Sequence, residues 1–226
     1  MPLCRYYAYD QNHPYTVKIA NPNLYYYYLY NRWKLVVHGG VDGYTRIPVF
    51  LQCSANNKAS TVLEAFLRGI DEYGLPSRVR CDKGGENTAV SEYMLSHPMR
   101  GPGRGTVIVG KSVHNQRVER LWRDIFEGVL VLYYNLFYHL EEIQMLDPSD
   151  DISMFCLHYV FIPRINQSLN EWKKAWIHHP MSSMNGQTPN QLFVTGLLNL
   201  MGGGHSFRCI AREMFEDITE VIIMCM

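Results

Sequence analysis

Two carboxylates in this chain stand where acids do chemistry. Asp82 closes the short apolar run Val79-Arg80-Cys81 and opens the loop Lys83-Gly84-Gly85, and Glu119 lies in the first turns of a strongly amphipathic segment. Between them lie 36 residues, which is 119 − 82 − 1. An acid at a strand end and another near a helix start can meet at one edge of a sheet. Oxygen ligands placed that way suit Mg²⁺ or Mn²⁺, hard ions that take carboxylates. Two such ions would clamp the attacking and leaving oxygens of a phosphoryl transfer. Taken singly, each acid has a plainer reading. Asp82 serves as a turn residue, and Glu119 as a solvated helix residue beside Arg117 and Arg120. The spacing alone is a weak signal.

Lys83, Lys111, Arg117, Arg120 and Arg123 flank the two acids in sequence. Such groups bind phosphate backbones, with a strong salt dependence. Their plainer reading is a solvated helix face with local ion pairs such as Arg120 with Asp124 at i,i+4.

The elements that must hold these residues follow from periodicity. Residues 1–23 are polar and broken by His13-Pro14 and Asn21-Pro22-Asn23, which reads as an irregular lead-in. The aromatic run Tyr25 to Tyr30 favours a strand, Trp33 to His38 a second and Ile47 to Leu51 a third. Asp42-Gly43 supplies a hairpin signal, so these three make an antiparallel meander. Val62, Phe66, Gly69, Ile70 and Tyr73 then fall on one helical face, stopped by Gly74 and Pro76. A short strand at 79–81, a helix over 86–95 and an apolar stretch at 107–109 follow. From Val118 to Leu140, apolar residues recur at three- and four-residue steps, giving one long helix. Residues 151–176 are helical by the same test, with Pro163 expected to kink or divide them. Thr188-Pro189 opens a further helix as N-cap and first position. Gly202 to Gly204 form a hinge before a tail helix. The pattern predicts an α/β fold, a mixed sheet with helices on its faces.

Several motifs resemble one known family in the right order. Gly110-Lys111-Ser112-Val113-His114-Asn115-Gln116-Arg117-Val118-Glu119-Arg120-Leu121-Trp122-Arg123-Asp124 resembles the glutamate-bearing helix of integrase-core proteins. His38-Gly39-Gly40-Val41-Asp42-Gly43-Tyr44-Thr45-Arg46 looks like that family's "GGxDGYSR" strand pair. Pro76 to Asn87 resembles the segment carrying its second aspartate. Phe155 to Phe161 and Thr188 to Leu192 fit its C-terminal half, so the resemblance runs from about residue 14 to 196.

The resemblance implies a ribonuclease-H-like fold: an antiparallel three-strand meander plus parallel strands, flanked by helices, with a helical C-terminal extension. It divides the chain into a lead-in at 1–23, a catalytic core at 24–145, a helical extension at 146–200 and a tail at 201–226. It also implies a polynucleotidyl transferase of transposable-element origin. Such enzymes use two aspartates and a glutamate to hold Mg²⁺ or Mn²⁺, cutting DNA strands and joining their 3′ ends to a target. Asp82 matches the second aspartate and Glu119 the glutamate. The first aspartate is expected on the first strand, in a segment like "WHxDGxHKL". Here Leu24 to Asn31 contains no acid at all. Asp42 belongs to the turn between the second and third strands, Glu86 opens a short helix, and Asp10 lies in the lead-in. None replaces the missing acid. The activity is therefore expected to be impaired and any metal to be held weakly. The alternative, from a different class, is a non-catalytic domesticated module that binds nucleic acid or protein. The tyrosine run reads as a strand packed on two sides rather than as a base-stacking platform. DNA is the partner the resemblance implies, homo-oligomers are compatible with it, and the nucleus is the compartment it suggests.

Composition bounds these readings. The formal net charge is zero, which hides an asymmetry: nine Lys/Arg against four Asp/Glu at 78–123, then five against twelve at 124–226. The basic stretch coincides with the candidate site. The six cysteines, at 4, 53, 81, 156, 209 and 225, form no CxxC pair, so they read as reduced thiols in an intracellular chain. No apolar run reaches the length of about 18 residues that a membrane span needs, and no leader is visible.

Overall fold

Alternating apolar and polar residues build the sheet, and residues at helical spacing cover it. A computed structural model of the chain describes residues 16–19, 32–110 and 116–200; of residues 16, 116–119 and 197–200 it describes the backbone alone. The strands are β1 (Thr16–Ile19), β2 (Val36–Asp42), β3 (Pro48–Ser54), β4 (Arg78–Cys81) and β5 (Val107–Val109). They form one sheet in the order β3-β2-β1-β4-β5. β1 pairs antiparallel with β2, and β2 antiparallel with β3. β1 pairs parallel with β4, and β4 parallel with β5. This is the meander-plus-parallel sheet that the ribonuclease-H-like reading requires.

The strand at the sheet's centre is not where sequence periodicity places it. β1 lies inside the segment expected to be irregular, and the tyrosine run lies outside the described residues. The prolines and asparagines on either side of Thr16–Ile19 mask a four-residue strand of strict period two. Val17 and Ile19 point into the core, and partners on both edges satisfy the backbone. The second strand begins at Val36 rather than Trp33. Trp33 instead is fully buried before the strand, donating from Nε1 to Glu141 at 2.7 Å.

Helices cover both faces. On one face α1 (Ala59–Tyr73) and α2 (Thr88–Ser96) bury Val17, Ile19, Phe50, Phe66, Val79 and Cys81 in a common cluster. On the other, α3 (Gln116–Ile125), a π-helical turn (Phe126–Leu130) and α4 (Val131–Glu142) run on from one another. The single helix expected over 118–140 is thus interrupted by a π turn. Gly128 sits in it, and a Cβ there would lie 2.8 Å from Nε1 of Trp172, so the glycine admits the indole. Trp172 belongs to α5 (Asp151–Trp176), which joins α3 and α4 in a second cluster with Val37, Val41 and Cys53.

Pro163 does not divide α5. A proline inside a helix costs about 3 kcal/mol, but Leu157, Ile165 and Leu169 bury the helix on both sides of it. Arg164 also donates to the Val160 carbonyl at 2.9 Å. The last described element, α6 (Pro189–Leu200), starts as expected. Thr188 Oγ1 accepts from the Gln191 N–H at 3.1 Å, and Gln191 Oε1 accepts from the Thr188 N–H at 2.9 Å, a reciprocal capping box. The glycine hinge at 202–204 lies outside the described residues.

Candidate active site and nucleic-acid interface

Asp82 follows β4 directly, half-buried at the C-terminal end of the strand. Its Oδ1 accepts from the Gly84 N–H at 3.2 Å and from Asn87 Nδ2 at 2.8 Å. One carboxylate oxygen is therefore committed to holding the loop. Gly84 makes room there, since a Cβ would fall 2.3 Å from Oε1 of Glu86. Glu86 opens the 3-10 turn Gly85–Asn87, as its helix-start reading required. Burial holds the Cys81 thiol above its ordinary range; a hydrogen bond with Ser91 opposes this, and the charges of Asp82 and Glu86 add to it.

Glu119 lies on α3, one turn before Trp122. Trp122 is buried against the sheet: a Cβ on Gly39 would lie 2.7 Å from its Cη2. The backbone thus brings α3 onto the same sheet that ends in Asp82. The structure describes no side chain for Glu119 or Arg117, and Lys111 lies outside the described residues. Lys83, Arg120 and Arg123 are exposed. Arg120 and Arg123 both lie within electrostatic reach of Asp124, whose carboxyl burial raises and these cations lower. Among the described residues no ion pair within 4.0 Å joins Arg120 to Asp124, so the i,i+4 pair expected from the sequence is not formed, and both arginines stay accessible.

A depression of about 750 Å³ opens beside Asp82, lined also by Lys83, Asn87, Ser91, Glu92 and Val109. Its helical wall is α2, and among the described residues none from α3 contributes to it.

Asp42 ends β2, opposite Val17, on the face covered by α1 and α2. Its Oδ2 accepts from the Thr45 N–H at 2.7 Å and from Thr45 Oγ1 at 2.6 Å, closing the turn to β3. Burial pushes its carboxyl up, and the Thr45 hydrogen bonds oppose this. The turn-making role expected of Asp42 is what the structure shows, on the side of the sheet away from α3.

Sequence reasoning missed Lys18 and Arg80. Alternation along β1 sends Val17 and Ile19 into the cluster under α1 and α2, so Lys18 faces the α3 side. In β4, Val79 and Cys81 join the same cluster, and Arg80 faces the α3 side with Lys18. The two are paired in register, and both are half-buried. The Arg80 guanidinium reaches Gly110, where a Cβ would lie 3.3 Å from Nη2. Thr-Val-Lys-Ile and Arg-Val-Arg-Cys alternate polar or cationic with apolar residues, and that pattern was the available signal.

These donors do not fit a two-metal clamp. β1 carries no carboxylate, and the chain has no Asp or Glu between Asp10 and Asp42, so no extension of the strand could supply one. Asp82 has one oxygen engaged, and its neighbours on the face are cations. Among the described residues no group of three or more His, Cys, Asp or Glu is placed to hold a metal.

A family model described as "Integrase core domain" matches residues 17–206. Among solved structures, the chain is similar to the HTLV-2 integrase catalytic core domain in complex with magnesium. The trimeric form matches at 16% identity and TM-score 0.43, and the dimeric form at 15% and 0.45. Each alignment covers 79% of this chain and 95% of that one. Likenesses this loose leave the family match and the sheet order to carry the assignment. No curated protein matches. Among the described residues no helix is long and apolar enough to cross a membrane.

Proposed function

Since the chain belongs to the integrase core domain family, we propose that it is a nucleic-acid-binding core of transposable-element origin whose metal-dependent strand cleavage and transfer are impaired. One observation carries the impairment: the central strand of the sheet presents Lys18, beside Arg80, and no acid. In a two-metal mechanism anionic ligands hold the ions that neutralise charge developing at phosphorus. Here Asp82 and Glu119 are the only matching acids, and Mg²⁺ or Mn²⁺ bound by them is held weakly.

Binding does not need that chemistry. Lys83, Lys111, Arg117, Arg120 and Arg123 form the basic stretch around the site, and DNA held through its phosphates by such groups is bound without sequence preference. The partner is DNA in the nucleus, and self-association of the chain is compatible with this use. Fluorescence anisotropy on a labelled duplex across a salt series tests the reading. The slope of log affinity against log salt should be steep for the native chain. With Lys111, Arg117, Arg120 and Arg123 all replaced by alanine, it should fall by about 0.9 for every phosphate no longer neutralised. An unchanged slope would place DNA elsewhere on the chain or exclude it.

A non-catalytic module that binds protein is the second reading. Phe155 and Tyr159 favour it: their rings stack on the solvent side of α5, 69% and 75% exposed. Isolated exposed apolar residues are ordinary, but a stacked pair is a surface a partner can cover.

A further inference from the structure

The cations on the α3 side of the parallel strands are the feature that the family's chemistry does not explain. Lys18 and Arg80 are adjacent across the β1–β4 pair. Like charges directly opposite each other on neighbouring strands are destabilising. The same row runs from Val41 through Lys18 and Arg80 to Ile108. Val41 at its start is sealed under the helices of the second cluster, whereas the two cations keep part of their surface in water. The row therefore passes from a packed wall to a charged, partly wetted one, with Asp82 two residues beyond Arg80 on the same side of the sheet.

We infer that Lys18 and Arg80 form a metal-independent phosphate-binding site, taking one backbone phosphate of a nucleic acid on the sheet face where the family holds metal. This rests on the proposed reading and sharpens it. In a metal-dependent site, divalent ions bridge acidic side chains to phosphate. Here fixed ammonium and guanidinium groups meet the phosphate directly, by charge-assisted hydrogen bonds in which the guanidinium can donate two parallel N–H groups. Lys18 already makes an interaction within the chain, so a phosphate exchanges one partner for another. Asp82 limits the affinity by its charge, and its committed Oδ1 turns part of that charge toward the loop.

The test is anisotropy of a short labelled duplex with the full chain, in EDTA and in Mg²⁺, for the native protein, Arg80→Gln, Arg80→Lys and the double variant Lys18→Gln/Arg80→Gln. Circular dichroism melts check that each is folded. Native binding should need no Mg²⁺: it should be at least as tight in EDTA as in Mg²⁺, which competes for the phosphates. The double variant should bind about tenfold more weakly, with a salt slope reduced by about 0.9, the value for one phosphate. Arg80→Lys should fall between the native chain and Arg80→Gln, because it keeps the charge but loses the paired guanidinium donors. Should the double variant fail to fold, the contrast between Arg80→Gln and Arg80→Lys reads the same effect. Binding that appears only with Mg²⁺ would overturn the inference. So would native affinity and slope in the double variant while Arg120→Ala/Arg123→Ala weakens binding, and the DNA reading would then survive. No duplex binding by the native chain at low salt would overturn both.

Discussion

Strands β1 and β4 have two unlike faces. Toward α1 and α2 they present Val17, Ile19, Val79 and Cys81, none more than 3% exposed and all in one cluster with Phe66. Toward α3 they present Lys18 and Arg80, half-buried and belonging to neither cluster. The strands thus keep the packed core on one side and carry two paired cations on the other. Burial on the first face holds the fold, whereas the cations of the second fill no core volume. A fold does not by itself carry an activity.

The contrast should be plain in stability. Phe66→Ala, in the packed cluster at 0% exposure, should cost about 3–5 kcal/mol of unfolding free energy, read from the denaturant midpoint. A loss under about 1 kcal/mol would mean that this face is loosely packed and the contrast false.

Glycine substitutions probe close approach. A Cβ on Gly39 meets the ring of Trp122 at 2.7 Å, so Gly39→Ala should destabilise by roughly 1–3 kcal/mol. Gly110 faces only the flexible end of Arg80, at 3.3 Å, and Gly110→Ala should change stability by less than about 0.5 kcal/mol. Equal effects at the two positions would remove the distinction between sealed and open walls.

His38 extends the packed side with a titration. It is buried, with Nε2 3.1 Å from Ser54 Oγ and from the Asn56 carbonyl, and desolvation lowers its pKa. The unfolded chain therefore takes up this proton first. The contribution is complete above the ordinary histidine value of about 6.5 and is lost as pH falls below it. Thermal midpoints of the native chain should drop between pH 7 and pH 5 more than those of His38→Gln. Parallel pH curves would place the titration on another histidine.

The smallest effect belongs to the charged face. Lys18→Gln and Arg80→Gln should each shift stability by no more than about 0.5 kcal/mol, since they fill no core volume. A large loss from either would make the cations structural.

Much of this architecture was legible in the sequence because periodicity reports burial. Val62, Phe66, Gly69 and Ile70 marked α1, and Thr188 with Pro189 marked a cap, which Gln191 completes by a reciprocal hydrogen bond. Asp42-Gly43 announced its turn, because the signal is local. β1 was not legible: four residues between proline-rich flanks gain their strand conformation from β2 and β4, which are distant in sequence. Lys18 and Arg80 were missed for the same reason, since only the register pairs them. The π turn at Phe126–Leu130 was likewise hidden, because it answers to Trp172 on another helix. Asp82 was visible as a strand-end acid, and its loop-holding bonds make its plainer reading true alongside its family match.

The most direct measurement is nicking and joining of a labelled duplex by the full chain in Mn²⁺, with Glu119→Gln alongside. Losing only about 4 kcal/mol of transition-state stabilisation slows a reaction roughly a thousandfold, and a site with Lys18 on its central strand lacks a shared anionic ligand. The chain should give no cleavage above the Glu119→Gln background. Robust cleavage that Glu119→Gln abolishes would show an intact site and contradict the account.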